Sequence, residues 1–183
     1  MGARGQGAKV NYTWQSLAAD GDISVRVSAF KNAHRSDEAG ILLRLSMAKD
    51  APYYFAYLTP RDGISVHYRS TPHTQDTTVA HVVGVAPMYL RVARTHNVYH
   101  TYVSKDGTTW RAINALRVTS WNKGAVLAGI AATTRTNVSQ PGGSFDKVAL
   151  FVATSPRPHV AHPANAVRQH RGAGKRHQPR HGR

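Results

Sequence analysis

The sequence predicts an all-β, antiparallel fold, either a sandwich or a barrel. Three observations carry this reading. Roughly eleven segments alternate apolar and polar residues or are densely aromatic. Turn signals separate them at short, regular spacing. No stretch has convincing helical periodicity, and none is a crossover of the length that a parallel sheet needs.

Taken in order, Val10 to Leu17 reads as a strand with Val10, Tyr12 and Trp14 on one side, and Asp20-Gly21-Asp22 as a turn. Ile23 to Phe30 alternates, with Ile23, Val25, Val27 and Ala29 facing in. Ala39 to Met47 places Ile41, Leu43, Leu45 and Met47 on one face and Arg44 on the other. Tyr53 to Leu58 is dense in aromatics. Ile64 to Arg69 sets Ile64, Val66 and Tyr68 opposite Ser65, His67 and Arg69, and Thr78 to Val83 is a short strand.

Pro87 to Trp110 is the clearest stretch: two strands and the start of a third, joined by two turns. Met88, Leu90 and Val92 share one face; Tyr89, Arg91 and Ala93 share the other. Asn97 lies in the first turn, and Asp106-Gly107 supplies the positive backbone angles of the second. Arg117 to Ser120, Ala125 to Thr134 and Ser144 to Val152 are the remaining expected strands.

The chain has 183 residues, net charge +15 and no Cys, which excludes disulfides and thiolate metal sites. Seven of its 24 basic residues, and none of its nine acidic ones, fall in Ser155 to Arg183. That segment has lost apolar periodicity and is expected to be a disordered Arg/His/Pro-rich tail, because it carries too little apolar surface to offset its ordering entropy. The expected layout is thus 1–9 disordered, 10–154 a β-sandwich and 155–183 a tail. Such a charge balance favours acidic partners, such as nucleic acid, anionic polysaccharide or wall polymer, or serves only to keep the chain soluble. Met1 to Lys9 is not a secretory signal, and the longest apolar run, Ala125 to Ala132, is too short to span a bilayer.

Several stretches together resemble one family. Ala39-Gly40-Ile41-Leu42-Leu43-Arg44 is similar to its Ala-Gly-apolar-apolar-x-Arg strand. Pro87 to Arg94 is similar to its Pro-x-Trp-Leu-Arg-x-x-Arg, and Ser104 to Trp110 to its Ser-x-Asp-Gly-x-x-Trp hairpin. Gly129-Ile130-Ala131 and Phe145-Asp146-Lys147-Val148 resemble its two closing strands. The family is the concanavalin A-like lectin/glucanase superfamily, in the form of the small bacterial jelly-roll modules found in extracellular proteins and beside glycoside hydrolases.

The resemblance covers about Val10 to Val152. It implies a two-sheet sandwich, an extracellular setting and a polysaccharide or glycan as partner; such folds can hold Ca²⁺, but no cofactor is expected from these residues. Tyr89 stands where Trp is usual, and Thr134-Arg135 where Ser-His is common. Strands that normally precede the equivalent of Val10 are lacking, which implies a late start or an incomplete domain with an exposed sheet edge.

Two sites are proposed by the residues. Arg26, Arg44, His67, Arg69 and Arg91, with Tyr54 and Tyr89, occupy strand positions that read as wet. On one concave sheet they would form a basic, aromatic-lined groove. Sugars need flat apolar faces and planar hydrogen-bond donors, which Tyr and Arg supply. An ordinary solvated face with cross-strand pairs is the competing reading. Ser104, Asp106, Gly107 and Trp110 read as a structural turn.

Catalysis is not expected. Glycoside cleavage needs two carboxylates across a cleft, whereas Glu38 is the single Glu and the Asp residues fall mostly in turns. No Asp cluster has Ca²⁺-ligand spacing, and no metal site is assigned. The chain therefore reads as a non-catalytic carbohydrate-binding module. The alternative is a polyanion- or nucleic-acid-binding module acting through its tail, with a degenerate glycoside hydrolase third.

Overall fold

The computed structural model describes residues 9–121, 124–134 and 142–153. They form eleven strands: β1 (Lys9–Leu17), β2 (Gly21–Phe30), β3 (Glu38–Arg44), β4 (Tyr53–Leu58), β5 (Ile64–Arg69), β6 (Thr77–Val82), β7 (Met88–Thr95), β8 (Val98–Ser104), β9 (Arg111–Arg117), β10 (Val126–Thr134) and β11 (Gly143–Val152). All pairings are antiparallel. Sheet A has the order β1-β10-β3-β4-β5-β6, and sheet B the order β11-β2-β7-β8-β9. The two sheets pack face to face as a sandwich. The expected disordered segments, 1–9 and 155–183, lie outside the described residues except for Lys9, which opens β1.

Alternation builds the core. Ile23, Val25 and Val27 of β2 and Met88, Leu90 and Val92 of β7 face in from sheet B. Ile41 and Leu43 of β3, Ile64 and Val66 of β5, and Val126 and Ala128 of β10 meet them from sheet A, all at most 7% exposed. A chain of rings crosses the interior: Tyr54–Tyr99 at 5.4 Å, Tyr99–Trp121 at 5.4 Å and Tyr68–Trp121 at 5.8 Å between centroids.

Several element boundaries differ from the sequence expectation. The second strand opens at Gly21, inside the expected Asp20-Gly21-Asp22 turn, because Gly21 and Asp22 pair with both neighbouring strands. The third strand stops at Arg44, and Met47 is 54% exposed in the following loop. The ninth runs over Arg111–Arg117, not Arg117 to Ser120. Its register shifts opposite Thr101/Tyr102, so both Ile113 and Asn114 reach the interior and period-two alternation is lost.

The Ser104–Trp110 turn forms as expected. Asp106 Oδ1 accepts hydrogen bonds from the Thr108 and Thr109 amides (2.8 and 2.7 Å) and from the Ser104 hydroxyl (2.9 Å). These bonds hold its carboxyl well below the usual carboxylate range, the Thr109 amide contributing most. Gly107 takes φ +79°, and the Tyr89 ring packs where a side chain there would stand. Trp110 is half-buried.

Candidate ligand-binding face

The seven residues expected on one wet face fall in three places. Arg26, Tyr89 and Arg91 lie on the outer face of sheet B. Arg44, His67 and Arg69 lie on the outer face of sheet A. Tyr54 lies on neither: it is 0% exposed and faces the core, where its hydroxyl bonds Thr101 Oγ1 of the opposite sheet (2.6 Å) and accepts from Asn114 Nδ2 (2.9 Å). Burial raises its phenol pKa. The alternation that placed Tyr54 outside fails because β4 is apolar on both faces, being covered on both.

The outer face of sheet B is stitched to itself. Arg26 Nη1 bonds Asp146 Oδ2 at 2.9 Å and lies over the Tyr89 ring. Arg91 grips Asp22 with Nε (3.1 Å) and Nη2 (2.9 Å), and lies over Tyr102. This is the solvated face with cross-strand pairs that competed with the ligand reading.

The outer face of sheet A is different. The strand register stacks its side chains in three rows. One runs Leu127, Arg44, Tyr53, Arg69. The next runs Trp14, Gly129, Leu42, Phe55, His67, Thr78, and the third Tyr12, Ala131, Gly40, Tyr57, Ser65, His81. Leu42, Tyr53, Phe55, Tyr57 and Ala131 form a second apolar cluster with Tyr12 packed on it. Phe55 and Tyr57 are 4.8 Å apart, and Tyr57 meets His67 edge-on at 5.2 Å.

Tyr12 crosses β10 to reach this cluster. Its hydroxyl donates toward the carbonyls of Leu127 (2.7 Å) and Leu42 (3.1 Å). Burial pushes its phenol far above the usual range, and the nearby Arg44 guanidinium pulls it part of the way back. Glycine is required at Gly129 beneath this crossing, because a Cβ there would run into the Thr13 carbonyl and the Trp14 backbone. Trp14, next on the same face, remains 41% exposed.

A polar network borders the rings. His67 Nδ1 lies 3.2 Å from Asp76 Oδ2, which also accepts from the Tyr53 hydroxyl at 2.5 Å. His67 Nε2 lies 3.0 Å from both the Tyr57 and the Thr78 hydroxyls. With Nδ1 donating to Asp76, Nε2 accepts from one of those hydroxyls. Thr78, His67 and Asp76 are the residue types of a hydrolytic triad. Here Tyr57 competes for the same ring nitrogen, and the network fixes the two tyrosine rings instead of freeing a nucleophile.

Glu38 is buried at the start of β3 and accepts from Thr133 Oγ1 at 3.0 Å. Among the described residues, no three His, Cys, Asp or Glu side chains gather as a metal site. No described helix is long and apolar enough to cross a membrane.

Sequence reasoning therefore found Arg44, His67 and Arg69 and missed Tyr12, Trp14, Tyr53, Phe55, Tyr57, Asp76 and Thr78 as members of this face. Two signals were present: the aromatic density of 53–57, and the shared side of Val10, Tyr12 and Trp14.

No protein-family profile and no curated protein matches the chain. Solved structures do. The chain is similar to the GH43 BlXynB protein from Bacillus licheniformis (TM-score 0.55, 16% identity, 73% of this chain and 27% of that one). It is similar to the carbohydrate-binding module CBM66 from Bacillus subtilis (TM-score 0.53, 14% identity, 79% and 95%). A functionally unknown protein from Saccharomyces cerevisiae also matches (TM-score 0.50, 18% identity, 79% and 75%). The chain thus spans only 27% of BlXynB but nearly the whole of CBM66. At these identities the likeness shows the fold: an antiparallel β-sandwich shared with carbohydrate-related proteins.

Proposed function

We propose that this chain is a non-catalytic, glycan-binding β-sandwich of the concanavalin A-like type, acting outside the cell, and that it presents the outer face of sheet A to its ligand. The observation that carries the reading is the contrast between its two outer faces. On sheet B, Arg26 and Arg91 at the centre of the outer face are each closed onto a carboxylate. Sheet A instead aligns Trp14, Tyr12, Arg44, His67 and Arg69 around a layer of packed rings. Exposed Trp14 offers a flat apolar surface for sugar C–H groups, and the arginines offer planar donors for hydroxyls. The fold shared with a carbohydrate-binding module supports the same reading.

A second reading keeps its own observation: the seven basic and no acidic residues of Ser155 to Arg183 suit a polyanion. Co-sedimentation of the full chain with a panel of insoluble polysaccharides, at low and high salt, separates the two. Sheet-face binding survives salt and falls about tenfold in Trp14→Ala, for a lost stacking contact of about 1.4 kcal/mol. Binding that vanishes at high salt and ignores Trp14→Ala overturns the sheet-face reading in favour of the tail.

A further inference from the structure

We propose that the glycan taken by this face is acidic, and that Arg69, lying on Tyr53 in the row Arg44–Tyr53–Arg69, is the residue that grips a sugar carboxylate. The inference rests on the glycan reading above and names the class of its ligand.

Three observations converge on Arg69. First, Arg26 and Arg91, its counterparts on the outer face of sheet B, each hold a carboxylate. Arg69 makes no ion pair with any described residue. Asp76, the nearby acid on this face, has its Oδ2 bonded by Tyr53 and His67. Second, Arg69 Nε is buried and has no hydrogen-bond partner among the described residues. Buried donors in native proteins are almost always bonded, so an orphan points to a group that the protein expects to meet. Third, the Arg69 guanidinium carbon sits 5.0 Å from the centroid of the Tyr53 ring, and Asp76 fixes that ring through its hydroxyl. A guanidinium resting on a fixed ring loses little freedom when it takes up a planar anion.

The protein shows the required geometry elsewhere. Arg91 takes both oxygens of Asp22 through its Nε and Nη2 edge. A sugar carboxylate offers the same two coplanar oxygens. When the Arg69 guanidinium swings from the Tyr53 ring onto a carboxylate, its Nε gains the missing acceptor and the ring face is uncovered for the sugar. The positive potential of Arg44 acts on the same face, since it draws down the Tyr12 phenol. Arg69 on β5 and Trp14 on β1 are separated by four strand spacings, about 19 Å. One sugar cannot span them, so an oligomer lies across the strands, with an acidic unit at Arg69.

The test is calorimetric titration of the full chain, at one fixed ionic strength, with hexamers of galacturonic acid and with the same hexamers fully methyl-esterified. The ester keeps the rings and removes the charge. The acid is expected to bind at least tenfold more tightly than the ester. Arg69→Ala is expected to lose that advantage, so that acid and ester are bound about equally. Arg69→Lys, which keeps the charge and loses the fork, is expected to fall between them. All variants retain the basic tail, so its non-specific attraction cancels. Acid binding unchanged in Arg69→Ala overturns the proposal. Acid and ester bound equally, and both weakened by Trp14→Ala, overturn it while the glycan reading stands. Failure of both hexamers and of every polysaccharide in the panel removes the glycan reading and this inference with it.

Discussion

Tyr54→Phe tests where the two sheets are joined. In the parent chain the Tyr54 hydroxyl is the centre of a buried three-residue bond: Thr101 Oγ1 of β8 at 2.6 Å and Asn114 Nδ2 of β9 at 2.9 Å. Thr101 and Tyr54 are both 0% exposed. The substitution keeps the ring, its Tyr99 contact and nearly all of its buried apolar surface. What it removes is the partner of a hydroxyl that no water reaches, and a buried group left unbonded costs about 1–3 kcal/mol. Asn114 is half-buried and can recover one bond from solvent, so Thr101 sets the magnitude.

The assay is urea unfolding, read as a shift of midpoint at constant slope, on the order of 1 M for this loss. Thr101→Val in the Tyr54→Phe background removes the orphan hydroxyl and is expected to restore about 1 kcal/mol. Glycan binding is expected to be unchanged in both. A Tyr54→Phe chain within about 0.5 kcal/mol of the parent, or a double variant no more stable than the single one, refutes the buried bond. Loss of glycan binding at full stability refutes the placement of this ring in the core.

Three further outcomes are expected. Arg91→Ala and Tyr89→Ala leave glycan binding intact, and Arg91→Ala costs only about 0.2–1 kcal/mol in urea unfolding, since its pair with Asp22 is partly exposed; a binding defect in either places the ligand on sheet B. Tyr99 is buried, and burial pushes its phenol up to about 12. A raised pKa favours the neutral folded form, so stability is full below the ordinary value and is lost as pH climbs from about 10 towards 12; tyrosine absorbance followed alongside circular dichroism checks this, and ionisation of all eight tyrosines near pH 10 with the fold intact contradicts it. Asp106 carries the opposite sign: its lowered pKa gives stability that is present above the ordinary carboxylate value of about 3.9 and lost as pH falls below it. Asp106→Asn flattens that acid limb in a thermal-midpoint series, and a limb of unchanged steepness rules the turn out as its source.

Much of the fold was legible because one face of each sheet is wet. The second and seventh strands alternate cleanly, and their inward sets, Ile23-Val25-Val27 and Met88-Leu90-Val92, are buried as read. The Asp106-Gly107 turn was legible because only a glycine takes its positive φ without strain. The fourth strand was not legible. Its six residues are all buried, so the sequence Tyr-Tyr-Phe-Ala-Tyr-Leu carries no alternation to phase it. Only pairing resolves it: Tyr54 sits opposite Leu43, an inward residue, and Tyr53 opposite Arg44, an outward one. Alternation also says whether a residue points in or out, never which sheet bears it. That is why Arg26 and Arg91 were grouped with Arg44 and Arg69 although a whole sandwich separates them.

That separation gives the molecule its two unlike surfaces. On sheet B, Asp22 and Asp146 stand on the strands beside Arg91 and Arg26, so strand pairing alone brings each cation to its anion. On sheet A the central strands β3, β4 and β5 contribute no outward acid between Arg44 and Arg69; Tyr53 stands between them instead. The acid that serves this face, Asp76, comes from the loop before β6 and is spent on Tyr53 and His67. A tyrosine between two arginines in one cross-strand row cannot neutralise either of them. It holds them apart at about 10 Å, two strand spacings, with an aromatic floor between. If stability alone had shaped the row, an acid at position 53 would pair both cations, as Asp22 pairs Arg91. Tyr53→Glu is therefore expected to abolish binding of the acidic hexamer through repulsion of its carboxylates, and Tyr53→Phe to retain it. Equal binding by the two variants means that the row does not meet the ligand.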